Sequence, residues 1–235
     1  MNLKMLSTAA AALAFASAAQ AQSAGNILLG TGWLHESPQS SSQPLVTYSV
    51  NGTVINQANP GTGATVPGTD TLGVNAIYFV TDNIATEFVF GVPPKFELDG
   101  TGALSSFGKL GTVKQWTPTL LLKYYFGTAQ SKLRPYLGAG VAYTWFTNGQ
   151  ITNGAFQSLT GTSSSVSASG SWSPVANAGV SYQLTQHIFL SASLSYLPLK
   201  TTATITNTGG PATIVQKANI KVNPLVSYLS LAYRF

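Results

Sequence analysis

The chain has 235 residues, 6 acidic and 11 basic, so charged side chains make up 7% of it, against about 25% in an ordinary soluble domain. Hydrophobic residues at 44% and aromatics at 11% exclude a disordered chain, which lacks apolar surface to bury. No helix-length run of about 20 apolar residues follows the N-terminus; apolar residues instead alternate at short period with Gly, Ser, Thr and Asn, which predicts an all-β transmembrane barrel.

Residues 1–21 read as a cleaved secretory leader: Lys4 gives the positive start, Leu6 to Ala16 the short apolar run, and Ala19-Gln20-Ala21 the small-x-small cleavage site. Residues 22–235 are then one barrel domain, within the length such a fold accepts. The absence of cysteine excludes a Cys-based metal site or nucleophile. Two arginines and scattered lysines form no nucleic-acid footprint.

Barrel strands are segments of about 9–11 residues with one alternate set facing lipid. The first runs from Asn26 to about Leu34, with Ile27, Leu29 and Trp33 outward. Leu72–Val80 sets Leu72, Val74, Ala76, Tyr78 and Val80 outward, and Ile84–Val92 sets Ile84, Phe88, Phe90 and Val92. In Pro118–Phe126, Leu120, Leu122, Tyr124 and Phe126 face lipid, while Thr119, Leu121, Lys123 and Tyr125 face inward. From Arg134, the outward set is Leu137, Ala139, Val141, Tyr143 and Trp145, backed by Gly138, Gly140, Ala142 and Thr144. Trp172–Leu184 and Ile188–Pro198 repeat the alternation with Ser, Asn and Gly inward. The last segment, Leu225 to Phe235, alternates up to a terminal aromatic.

The connections fall into two lengths. Thr81–Asn83, Gly127–Leu133 and Thr185–His187 are short polar turns suited to the periplasmic side. About His35–Asp70, Pro93–Trp116, Gln150–Ser171 and Thr201–Lys221 are long, rich in Gly, Ser, Thr and Pro, and read as extracellular loops. Alternation of short and long gives eight strands, an outer-membrane location and both termini in the periplasm. Tyr78, Tyr124, Tyr182 and Tyr233 then form a lower girdle, and Trp33, Trp116, Trp145 and Trp172 an upper one.

Alternation assigns Leu28, Leu34, Ile77, Phe79, Val89, Leu121, Phe189, Leu197, Leu199, Val226 and Tyr228 to the lumen. Each is equally a packing residue, because eight strands leave room only for side chains or one small ligand. Glu87 and Lys123 also face inward on adjacent strands and are expected to pair, since a charge in a narrow lumen needs a partner or water. Arg234 faces inward near the periplasmic end. Pro93, Pro94, Pro118, Pro198 and Pro224 each remove a ladder donor near the outer rim; they mark either a lateral opening or plain strand ends.

Several strings resemble the OmpW family: TDNIATE at Thr81–Glu87, TPTLLLKYYFG at Thr117–Gly127, KLRPYLGAGVAYTWF at Lys132–Phe146, and the closing YRF at Tyr233–Phe235. The resemblance implies an eight-stranded barrel in outer-membrane lipid with a narrow apolar channel. It would pass small hydrophobic molecules, with sideways release through the wall in some relatives. It also implies that terminal Phe235 is read by the barrel-assembly machinery. The runner-up is a closed structural or adhesive barrel acting through its loops. A lipid-modifying enzyme is the remote alternative: His35 stands beside Glu36, Ser37 and Ser40 to Ser42, but sequence neighbours do not form triad geometry, and His187 reads as a turn residue. No catalytic residue, metal site or cofactor is expected.

Overall fold

The computed structural model describes residues 22–160, 164–208 and 211–235; the leader assigned to residues 1–21 lies outside them. Eight strands form the wall: β1 Ile27–Ser37, β2 Thr69–Phe79, β3 Ile84–Gly91, β4 Thr119–Tyr125, β5 Leu133–Ile151, β6 Ser171–Gln183, β7 Ile188–Tyr196 and β8 Leu225–Arg234. Each pairs antiparallel with its neighbour in the chain, and β8 pairs back onto β1. The ring is therefore closed, and no wall strand offers an open edge to another chain.

The period-2 pattern decides which face is which. Leu122 is 57% exposed, whereas Leu121 beside it is 3% exposed. Outward leucines bear on lipid, where an apolar surface costs nothing and a charge at the midplane costs about 2–4 kcal/mol. Inward positions are crowded, and glycines make room for rings. A Cβ on Gly73 would lie 2.7 Å from the Tyr228 ring, and one on Gly179 2.5 Å from the Tyr136 ring.

At one end, termed here the turn end, the wall strands are joined by the short connections 80–83, 126–132 and 184–187. The four girdle tyrosines are exposed there, while Trp33 and Trp172 are exposed toward the opposite, loop end. Trp116 and Trp145 stack there with parallel rings 5.8 Å apart.

The long connections are not irregular loops. Among the described residues they contain nine further strands, which form a crown. The upper part of β5, from Trp145 to Ile151, pairs with Lys109–Trp116; that strand pairs with Lys95–Gly102, and the latter with Thr62–Thr65. A separate sheet runs Ser164–Ala168, Lys200–Asn207, Ile214–Lys221, Val46–Val50 and Thr53–Ala58, with Ser41–Ser42 also on Ile214–Lys221. Thr and Val, which weigh toward loop when counted with Gly and Ser, are strand formers once a second sheet covers one face. β1 and β2 likewise run past the predicted rim, to Ser37 and from Thr69.

Candidate functional site

The lumen has a packed part, a polar layer and a cavity. At the turn end, Leu28, Ile77, Phe79, Ala85, Tyr125, Tyr136, Phe189 and Ala232 form one buried cluster. Arg134 lies among them, fully buried. Its guanidinium donates to the carbonyls of Gln22 (3.0 Å), Asp82 (2.6 Å) and Phe126 (3.3 Å), and lies 5.3 Å from the Tyr125 ring centre. Gln22 in turn donates to Ser181 Oγ at 2.9 Å. Carbonyl oxygens and π faces thus satisfy this cation, and the turn end of the lumen is filled.

Above this cluster lies the polar layer. Glu87 and Lys123 meet as an ion pair; both are almost completely buried. Asn75 Nδ2 donates to Glu87 Oε1 at 2.6 Å, and the Tyr228 hydroxyl donates to Asn75 Oδ1 at 3.2 Å. Lys123 Nζ also stands 4.1 Å from the Tyr136 ring centre. A buried pair is tolerable only when its remaining donors and acceptors are met, and this chain of contacts meets them.

Toward the loop end the lumen opens into a cavity of about 60 Å³, with Glu87 and Tyr228 among its lining residues. Leu34, Val89, Leu121, Val175, Leu197, Leu199 and Val226 supply apolar lining; Thr71, Thr119, Asn177, Ser193 and Ser195 add polar groups. Asn177 Oδ1 is buried without a hydrogen-bond partner. Glu36 lies at the loop-end side of this cavity, where Gln115 Nε2 donates to its Oε2 at 3.0 Å. It stands beyond the exposed Trp33–Leu72 pair that ends the lipid-facing band. Burial pushes the Glu36 carboxyl up to about 7, with Gln115 and His35 opposing.

The crown continues the cavity. An apolar space of about 40 Å³ shares Gln115 with it and is lined by Phe96, Val113, Phe146 and Val222 among others. A second, of about 70 Å³, shares Leu98, Val166, Ala203 and Ile220 with the first. The two loop sheets therefore enclose apolar space that adjoins the barrel cavity, with the buried Gln115 side chain between them.

The predicted lumen residues all face inward, but in two groups. Leu28, Ile77, Phe79 and Phe189 belong to the packed turn end; Leu34, Val89, Leu121, Leu197, Leu199, Val226 and Tyr228 line the cavity. The prolines divide too. Register pairing of β3 with β4 stops at Val89–Thr119, and the next bond across is Gln115 N to Pro94 O at 3.1 Å. Pro93, Pro94 and Pro118 flank that break. Outside it, the Phe90 and Trp116 rings are 5.7 Å apart; inside, Gly91, Pro94 and Thr117 line the cavity. Pro198 and Pro224 mark no such gap, because Leu197 N bonds Pro224 O at 3.2 Å and Val222 N bonds Leu199 O at 2.9 Å.

Arg134, Asn75, Asn177 and Gln115 were not singled out from the sequence as site residues, and Glu36 was weighed only as the acid beside His35. For Arg134 the signal existed, since it shares parity with inward Gly138; Arg234, chosen instead, is only half-buried. His35 and Glu36 point to opposite faces. His35 Nδ1 lies 2.8 Å from Asp70 Oδ1 on the outer surface, so the two do not converge on one site.

The OmpW family profile matches residues 40–235. The chain is 36% identical to Outer membrane protein W of Vibrio cholerae, over 70% of this chain and 73% of that protein. It is 27% identical to a Pseudomonas aeruginosa protein called Dibenzothiophene metabolism operon protein PahQ, over 76% and 78% respectively. The crystal structure of the outer membrane protein OprG from Pseudomonas aeruginosa superposes with a TM-score of 0.80 at 29% identity, covering 92% of this chain and 98% of that one. With its closed eight-stranded wall and these likenesses along most of its length, the chain belongs to the OmpW family and is an outer-membrane β-barrel protein.

Proposed function

We propose that the barrel passes small hydrophobic molecules across the outer membrane, entering through the crown and leaving sideways through the break between β3 and β4. The observation that carries this reading is a row of three adjoining spaces above a blocked floor. Apolar spaces in the crown adjoin the barrel cavity across Gln115, whereas Glu87–Lys123 and the cluster around Arg134 fill the lumen below. A molecule that reaches the cavity has the interrupted wall beside it. Outside that interruption stand Phe90, Trp116 and Trp145, aromatics of the type that occupy the membrane interface. The name of the dibenzothiophene operon relative is consistent with an apolar cargo.

In this reading the loop end faces the exterior and both termini face the periplasm, as long and short connections do in such barrels. Phe235, 72% exposed at the turn end, is then free to be read by the assembly machinery.

The test exploits a chain without cysteine. Phe90→Cys and Pro118→Cys occupy the next opposed positions after Val89–Thr119, where a disulfide would tie the two strands across the break. Oxidised vesicles carrying this variant are expected to lose uptake of dibenzothiophene, and a reductant should restore it. Unchanged uptake with the bridge formed sinks the sideways exit. Uptake by the wild-type barrel no faster than by empty vesicles sinks transport altogether and favours a closed structural barrel.

A further inference from the structure

The sheet containing Lys200–Asn207 and Ile214–Lys221 carries an unbalanced charge. Lys200 and Lys221 are directly opposed in the ladder, which places their Cβ atoms about 4.5–5.5 Å apart, an arrangement that destabilises like charges. Both are exposed. Neither ammonium group has an ion-pair or hydrogen-bond partner among the described residues. The six acids of the chain are Glu36, Asp70, Asp82, Glu87, Glu97 and Asp99; none lies on a strand of this sheet. The two lysines edge an open concavity of about 380 Å³ whose other lining residues include Ser41, Ser169, Thr202 and Asn219. Thr202 donates to Asn219 Oδ1 at 3.0 Å and Asn219 donates to Gln43 Oε1 at 3.3 Å, so an amide and hydroxyl row stands just above the ammonium pair.

Height matters as much as charge. Lys200 comes four residues after Tyr196 in the chain and Lys221 four residues before Leu225, and Tyr196 and Leu225 are the opposed pair that ends the β7–β8 ladder. Outward parity continues through exposed Pro198. The ammonium groups therefore stand just beyond the lipid-facing band, where lipid headgroups lie. The opposite side of the barrel repeats the device: Lys95 and Lys114 are opposed, one outward row above the stacked Trp116 and Trp145, with the Lys109–Glu97 pair above them.

We infer that the concavity at Lys200 and Lys221 binds the phosphorylated, hydroxyl-rich headgroup of a lipid in the leaflet at the loop end. The two ammonium groups face the phosphate, and the Thr202–Asn219–Gln43 row faces the sugar hydroxyls. The anion relieves the repulsion between the lysines. This inference is independent of transport.

The experiment uses the full barrel in phosphatidylcholine nanodiscs, with binding of diphosphoryl lipid A followed by tryptophan fluorescence. Removing both charges, as Lys200→Gln/Lys221→Gln, is expected to weaken binding about thirtyfold, while Lys132→Gln at the turn end leaves it unchanged. Lys200→Arg/Lys221→Arg is expected to bind like wild type, which separates lost charge from lost fold. The dephosphorylated lipid should bind wild type as weakly as diphosphoryl lipid A binds the Gln variant. Equal binding of the two lipids by wild type, or of diphosphoryl lipid A by wild type and the Gln variant, overturns the inference. Displacement by inorganic phosphate at its own comparable affinity assigns the site to a free anion and overturns the lipid assignment.

Discussion

The two halves of the lumen are built from the same strands and follow opposite rules. At the turn end, large rings interlock around a cation whose donors are met by carbonyls. At the loop end, smaller Val, Leu, Thr and Ser side chains leave unfilled space. The Glu87–Lys123 pair is the boundary between them. The difference teaches that one narrow barrel can be filled tightly over one length and hold a cavity over the other, even though Leu121, Val175 and Leu197 still pack together beside that cavity.

The hardest blow to this division should come at the boundary. Lys123→Met leaves Glu87 charged and buried without its partner, and is expected to cost about 3–5 kcal/mol in urea unfolding from micelles. Glu87→Gln/Lys123→Met should recover most of the loss. A small effect of the single variant would mean that water reaches the pair and the floor is open.

The halves can next be compared by truncation. Phe79→Ala, in the packed half, should cost about 3–5 kcal/mol, whereas Leu197→Ala, beside the cavity, should cost about 2 kcal/mol and enlarge the route. Equal costs would erase the distinction.

A smaller effect separates the halves by pH. The Glu36 carboxyl is raised from its ordinary value of 4.5 to about 7 by burial, so the folded state holds its proton more tightly than the unfolded one. The contribution of Glu36 to stability is therefore fully present below pH 4.5 and is lost as pH rises to about 7. Glu36→Gln should flatten that part of the stability profile and leave the acid end unchanged, as read from unfolding midpoints across pH.

The smallest effect belongs to Asp70, exposed and held below its ordinary range, chiefly by the hydrogen bond with His35. Its contribution is present above its unfolded value and lost as pH falls through the lower folded one. Asp70→Asn should change the midpoint only slightly at neutral pH, and the difference should vanish in strong acid.

The wall was legible because lipid demands one unbroken apolar face. Alternation therefore located all eight strands, and parity alone put Glu87 and Lys123 on inward faces of adjacent strands. Arg134 escaped because strand faces were weighed by their apolar members, and a buried cation satisfied by carbonyls leaves no acidic partner to find in the sequence. The crown escaped because Thr202–Asn207 and Val46–Val50 form strands only when another sheet covers them. Glu36 and Gln115 meet across 79 positions through that crown, so their contact was hidden with it.

One strand belongs to both layers. β5 is 19 residues long; its lower part takes register from β4 and β6, and its upper part lends register to Lys109–Trp116. The first loop sheet thus shares a continuous strand with the wall, and its other strands are paired outward from it. A change of register in the lower half of β5 would therefore be carried into the crown as well as round the wall.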